Sequence, residues 1–210
     1  SRSLKESFAV ALLIGTFVAP LGYYVSFLYS FPTGASKRRS EAAQAVYARG
    51  GWDRMTPLGT NPPVHRHYRD LVDRFFTGAG LDQWRPFVES VIDEQFATFE
   101  RDGRVEWNRQ FAEPVPVRVI THALGLPQAD IPQLERWSAA WILPFVRPLR
   151  QDEDVWVAEQ VVEFYEYLSG AIAAKRDQPG DDVITHLTRA EFAGERPLTD
   201  QEIITIVDHL

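Results

Sequence analysis

The sequence contains no cysteine. Its 210 residues therefore supply no disulfide bond, no zinc–thiolate site and no cysteine nucleophile. The G-x-G-x-x-G and phosphate loops, the G-x-S-x-G elbow and the H-E-x-x-H zinc pair are missing as well. Strand-forming stretches are scarce, and residues 105–107 are the single short candidate. These absences exclude several common enzyme signatures and favour a mostly α protein.

Charge is spread unevenly along the chain, although its overall composition is ordinary for a globular protein, with 45% apolar and 24% charged residues. Residues 1–69 hold nine basic and three acidic side chains, a net charge of +6. Residues 70–210 hold thirteen basic and twenty-six acidic side chains, a net charge of −13. The acidic main part argues against nonspecific binding to nucleic acid, so we predict no nucleic-acid partner.

A long stretch without charge lies near the start of the chain. Residues 8–28 are apolar enough, and long enough as a helix, to cross a bilayer core of roughly 30 Å. Basic residues flank the stretch on both sides and are slightly more numerous after it, which would place the later chain in the cytoplasm. We therefore assign residues 1–39 as an apolar segment and a candidate membrane anchor. Gly15, Pro20 and Gly22 weaken the helix, and a signal peptide or a buried soluble segment remain alternatives.

Helical patterns follow from Ser40 onward. Ser40 is a candidate N-cap, Asn61 is a candidate cap for a helix that begins at the Pro62–Pro63 pair, and Thr199 with Glu202 matches a capping box. The last predicted helix has no stop signal, and the sequence does not begin with methionine, so we expect a fragment. Further helices are predicted over residues 40–50, 81–101, 108–124, 154–176 and 182–188, with another that carries Leu134, Trp137 and Trp141.

His65 and Arg69 are the strongest candidates for a binding site. Four residues apart on a helix, they share one face and offer an imidazole N–H and a planar guanidinium. This pair suits a carboxylate or phosphate ligand. Alternatively, Arg69 pairs with Asp73 and His65 faces solvent. His65 and His67 form an H-x-H, but they diverge on a helix and no acid completes a ligand set, so we predict no metal site.

An irregular stretch precedes this helix. Trp52, Met55 and Leu58 could line a substrate pocket there, while ordinary packing is the alternative explanation for the same residues.

The segment LGTNPPVHRHYRDLVDRFFT, residues 58–77, resembles the start of the C helix in bacterial-type cytochromes P450. That family shows D-P-P-x-H-x-x-x-R followed by Phe-Thr, and only Asn61 departs from it here. Residues 111–130 resemble the E helix and its turn, LERWSAAW the F helix, PGDDVITHL the stretch before the I helix, and PLTDQEIITIVDHL the start of the I helix. The resemblance covers about residues 40–210 and implies a partial cytochrome P450 domain, from the B helix to the start of the I helix.

What the resemblance implies for function is specific. His65 and Arg69 would donate hydrogen bonds to the propionates of a haem cofactor. The protein would be part of a monooxygenase that hydroxylates a small apolar molecule with O₂ and two electrons from a redox partner. The family's A-G-x-x-T groove and cysteine loop are absent, and no E-x-x-R pair follows the residues that resemble the start of the I helix, so we expect this chain alone to be inactive.

The alternative hypothesis is a non-catalytic, membrane-tethered helical protein, a truncated relic of the family. Under either hypothesis we expect a cytoplasmic location, with the apolar segment at residues 8–28 as the candidate membrane contact.

Overall fold

The computed structural model describes residues 39–50 and 60–210, which belong to one compact unit. These residues form eight α-helices, a π-helical turn at Asn108–Ala112, a 3₁₀ turn at Gln128–Asp130 and one two-stranded hairpin. The helices are α1 (Glu41–Arg49), α2 (Val64–Phe76), α3 (Ala79–Ala97), α4 (Pro114–Ala123), α5 (Ile131–Val146), α6 (Gln151–Asp177), α7 (Val183–Leu187) and α8 (Asp200–Val207). The prediction of a mostly α chain is confirmed.

Side-chain caps fix several helix starts. The Ser40 hydroxyl accepts a 3.2 Å hydrogen bond from the Ala43 amide at the start of α1. Thr199 and Glu202 form a complete capping box at the start of α8. Both caps were predicted from the sequence, and both are confirmed. Ser40 also ties α1 to α6, because its amide donates a 2.6 Å hydrogen bond to Asp154 Oδ2.

The start of α2 differs from the prediction. The helix begins at Val64, and no side chain caps it. Asn61 contributes its backbone carbonyl instead, which accepts from the His65 amide at 3.2 Å. Three residues before the helix, Asn61 lies too early in the chain for its side chain to reach the second or third helical amide, so the predicted cap is wrong.

The strand prediction for residues 105–107 is also wrong. Residues 104–106 have no regular structure and Trp107 starts a helical turn, since no partner strand pairs with this short stretch within the described residues. Strand β1 (Glu191–Phe192) instead pairs antiparallel with β2 (Arg196–Pro197). Strands of two residues are too short to show a period of two in the sequence.

Helix α6 lies at the centre of the core. It packs against α1, α5, α7 and α8, and its inner face is almost completely buried at Val157, Val161, Leu168 and Ile172. The apolar face of α3, within the helix predicted over residues 81–101, is likewise buried or half-buried throughout. That face consists of Trp84, Phe87, Val88, Val91, Ile92 and Phe96, with Phe99 just beyond the helix.

Membrane insertion was predicted only for residues 8–28, which lie outside the described residues. Among the helices that are described, none combines the length and the apolar character needed to span a bilayer.

Candidate functional site

Helix α2 presents the predicted pair His65 and Arg69 one turn apart on one face. His65 is half-buried, and its imidazole has no hydrogen-bond partner among the described residues. The Arg69 guanidinium lies 2.8 Å from Asp73 Oδ1, with 53% and 40% of the two side chains exposed. The alternative pairing of Arg69 with Asp73 is therefore present, but His65 does not simply face solvent.

The chemistry of this pair fits the propionate groups of a haem. Two exposed partners of opposite charge stabilise a protein by only about 0–1 kcal/mol, so Asp73 competes weakly for Arg69. A guanidinium has five N–H donors, and most remain free when one bonds to Asp73. The uncommitted imidazole of His65 adds a donor on the same face. The pair can therefore bind a carboxylate without breaking a buried interaction.

Next to this face, the buried flank of α2 anchors the helix. Tyr68, Val72 and Phe75 are each at most 7% exposed. The Tyr68 hydroxyl donates a 3.0 Å hydrogen bond to Glu202 Oε1 on α8. Burial first, and the bond to Glu202 second, raise the pKa of Tyr68 to about 12.

Glu202 is a buried carboxylate with several donors around it. Arg196 binds both of its oxygens, at 2.8 Å and 2.7 Å. The amide and hydroxyl of Thr199 add bonds of 2.8 Å and 3.0 Å to Oε2. Because Arg196 and Thr199 stabilise the ionised form against the cost of burial, the pKa of Glu202 falls to about 2.

The sequence indicated only part of this arrangement. The capping box revealed Glu202 as a local partner of Thr199, but nothing in the spacing pointed to Tyr68, which is 134 residues away. Arg196 was also missed, although its position six residues before Glu202 was a weak signal.

The predicted pocket residues Trp52, Met55 and Leu58 lie outside the described residues, so their role stays a prediction. The H-x-H pair diverges as expected on a helix, and the His67 ring packs edge-on against Phe192 at 5.5 Å. Within residues 39–50 and 60–210, no group of three or more potential metal-ligating side chains occurs.

A polar cleft of about 460 Å³ lies between the end of α2, the start of α3 and α7. Arg74 and Arg189 line it together with Asp181, which accepts a 3.1 Å hydrogen bond from Gln83. His186 lies in the same cleft, and burial, followed by the charge of Arg74, lowers its pKa. Side chains of both charge signs share the cleft, so it offers no field of one sign to a charged ligand.

No protein-family model matches the chain. Known proteins do. Cytochrome P450(MEG) from Priestia megaterium is 30% identical over 145 residues, which are 69% of this chain and 35% of that protein. Cyclomarin C epoxidase CymV from Salinispora arenicola is 36% identical over 152 residues, 71% of this chain and 38% of the relative. The crystal structure of CYP101J2 superposes with a TM-score of 0.63 at 30% identity, covering 74% of this chain and 36% of that one.

The helices and the similar proteins agree on a class: the chain is a segment of a mostly α haem-enzyme fold. That fold is the one of the cytochromes P450, and the described residues form a helical part of it. The resemblance found in the sequence is thereby confirmed, and haem is the cofactor that it implies. The chain spans little more than a third of the length of these relatives.

Proposed function

We propose that this chain is part of a haem-dependent monooxygenase that hydroxylates a small apolar molecule, and that His65 and Arg69 hold the haem propionates. The observation that carries the proposal is the His65–Arg69 face of α2, with an uncommitted imidazole and an exposed guanidinium one turn apart. The similar proteins named above, a cytochrome P450 and an epoxidase among them, support the reaction class.

The role of this chain is to bind and orient the cofactor. The Arg69 guanidinium pairs with one propionate and neutralises its charge, while an N–H of His65 donates to a propionate on the same face. Burial of Tyr68 and Phe75 keeps this face pointing outward from the helical core. Haem supplies O₂ activation and oxygen transfer when it is bound.

Other parts of the reaction need residues that this sequence lacks. It contains no cysteine to ligate the iron, so we propose that residues 1–210 alone do not catalyse the reaction. The proposal includes a redox partner that delivers two electrons and pocket walls that include Trp52, Met55 and Leu58. The proposal also includes two segments, a candidate membrane anchor at residues 1–39 and a partial catalytic domain at residues 40–210. We place the catalytic domain in the cytoplasm.

The test uses the product of the complete reading frame that encodes this chain. We expect it to bind haem and to show the reduced–CO absorption band of a thiolate-ligated haem. His65→Ala and Arg69→Ala should each lower haem occupancy, and the double variant should lower it most. Arg66→Ala removes an exposed basic residue from the same helix turn and should leave occupancy unchanged. A complete product without haem refutes the proposal.

The absence of cysteine favours one other candidate, a non-catalytic, membrane-tethered relic of the family. The codons that follow Leu210 separate the two hypotheses. An open frame that encodes a glycine-rich cysteine loop supports the monooxygenase, and an immediate stop codon supports the relic.

A further inference from the structure

We propose that Glu202 is a positioning residue for the His65–Arg69 pair, because it holds Tyr68 and thereby fixes the rotation of α2 about its axis. This inference rests on the proposed function, since it concerns the same propionate-binding face. Glu202 itself lies on α8 and would not touch the cofactor.

The position of Tyr68 makes its hydrogen bond to Glu202 sensitive to any rotation of α2 about its axis. It follows His65 by three residues and precedes Arg69 by one, so it lies roughly 60° and 100° around the helix axis from them. A rotation of α2 that turned the pair away would also carry the Tyr68 hydroxyl away from Glu202. The 3.0 Å hydrogen bond therefore favours one rotational setting.

Glu202 is a rigid acceptor for this bond. It is 4% exposed and lies in the first turn of α8, where the capping box holds its carboxylate. Arg196 bonds to both oxygens, so Oε1 has little freedom to follow a moving Tyr68. The low pKa of Glu202 and the high pKa of Tyr68 keep acceptor and donor in the required protonation states.

The hairpin formed by β1 and β2 adds contacts to Tyr68 and to its neighbour on α2. The Phe192 ring lies 5.0 Å from the Tyr68 ring and 5.5 Å from the His67 ring. The Arg196 guanidinium carbon lies 5.0 Å from the centre of Phe192. Arg196 thus contacts both Glu202 and the Phe192 ring, which packs on α2. The same network contacts His67 and Tyr68, the two residues that precede Arg69.

A structural hydrogen bond elsewhere in the chain provides a matched control. The Tyr167 hydroxyl donates a 2.7 Å hydrogen bond to Asp130 Oδ2, between α6 and the 3₁₀ turn. Tyr167→Phe and Tyr68→Phe therefore each remove one hydroxyl from a part-buried or buried tyrosine–carboxylate pair. Only Tyr68 lies on α2.

The experiment measures the rate at which haem passes from the complete holoprotein to excess apomyoglobin. Both tyrosine variants should lower resistance to urea by similar amounts. Tyr68→Phe alone should accelerate haem release, by about three- to tenfold, as expected for the loss of one hydrogen bond that orients the site. Added to the His65→Ala, Arg69→Ala double variant, Tyr68→Phe should accelerate release no further, because the groups it positions are gone.

Glu202→Ala and Glu202→Gln test the acceptor directly. Glu202→Ala should accelerate haem release at least as much as Tyr68→Phe, and Glu202→Gln, which retains an oxygen for Tyr68, should recover part of the loss. Equal release rates from Tyr68→Phe and Tyr167→Phe overturn the positioning role while the propionate site stands. If His65→Ala and Arg69→Ala release haem no faster than Arg66→Ala, the propionate site fails, and the positioning role fails with it.

Discussion

The Lys175 ammonium donates a 2.7 Å hydrogen bond to Asp182 Oδ2, and this ion pair closes the loop between α6 and α7. The Asp182 side chain is 5% exposed and that of Lys175 20%. Asp182 also caps α7, because its Oδ1 accepts from the Thr185 amide at 2.8 Å. The Thr185 hydroxyl donates a 3.1 Å hydrogen bond to Asp182 Oδ2 and accepts one from the Gly180 amide at 3.0 Å, so the Asp182 carboxylate is connected to Lys175, Thr185 and Gly180.

Asp182→Ala should therefore destabilise the fold strongly. The substitution removes a helix cap and leaves the Lys175 ammonium without its partner, and we expect the free energy of unfolding to fall by about 3 kcal/mol. Urea unfolding followed by circular dichroism measures the change. Asp181→Ala is the control: its side chain is exposed, and it should cost less than about 0.5 kcal/mol. Equal losses for the two variants would contradict the role of Asp182.

Two glycines should respond to alanine in opposite directions. Gly125 has φ of +70°, and a Cβ there would lie 2.5 Å from Asp182 Oδ2 and 2.6 Å from Lys175 Nζ. Gly125→Ala combines backbone strain with this collision, so we expect it to lower the thermal midpoint. Gly170 is exposed inside α6 with open space around it, and Gly170→Ala should stabilise the chain by about 0.5–1 kcal/mol. Thermal unfolding of both variants under one condition tests both signs.

Local interactions account for what could be predicted from the sequence. Ser40 and Thr199 cap their helices through residues three positions away, and such spacing is visible in a single sequence. The placement of His65 and Arg69 on one helix face was predicted for the same reason, since four residues make about one helical turn. The apolar faces of α3 and α6 follow from helical periodicity, and their residues are buried or half-buried.

Long-range contacts account for what was missed. The Tyr68–Glu202 bond joins residues 134 positions apart, and no local pattern specifies such a pair. The hairpin at residues 191–197 is too short to show alternation, whereas residues 105–107 show strand-like composition but have no strand partner among the described residues. The wrong cap at Asn61 came from placing the start of α2 two residues early.

Leu168 should be one of the most costly positions to truncate. Its side chain is fully buried on the inner face of α6, where it belongs to the main core cluster. Leu168→Ala removes buried methyl groups and leaves a cavity, so we expect a loss of about 2–5 kcal/mol in the free energy of unfolding. Val146→Ala, at a residue that is 71% exposed, should change it by less than about 0.5 kcal/mol in the same urea titration. Comparable losses would show that α6 is not central to the core.

Acid should selectively remove the contribution of Glu202. The folded pKa of about 2 lies below the 4.5 of an unperturbed glutamate, so the ionised carboxylate stabilises the fold. This contribution, on the order of 3 kcal/mol, is fully present above about pH 4.5 and is lost as the pH falls toward 2. Glu202→Gln cannot titrate, so the difference in unfolding free energy between wild type and Glu202→Gln should shrink by more than half between pH 7 and pH 3. Urea unfolding at both pH values measures it, with Leu168→Ala as a control whose deficit involves no titrating group. A Glu202→Gln difference that stays constant with pH would show that the carboxylate is not held ionised by Arg196 and Thr199.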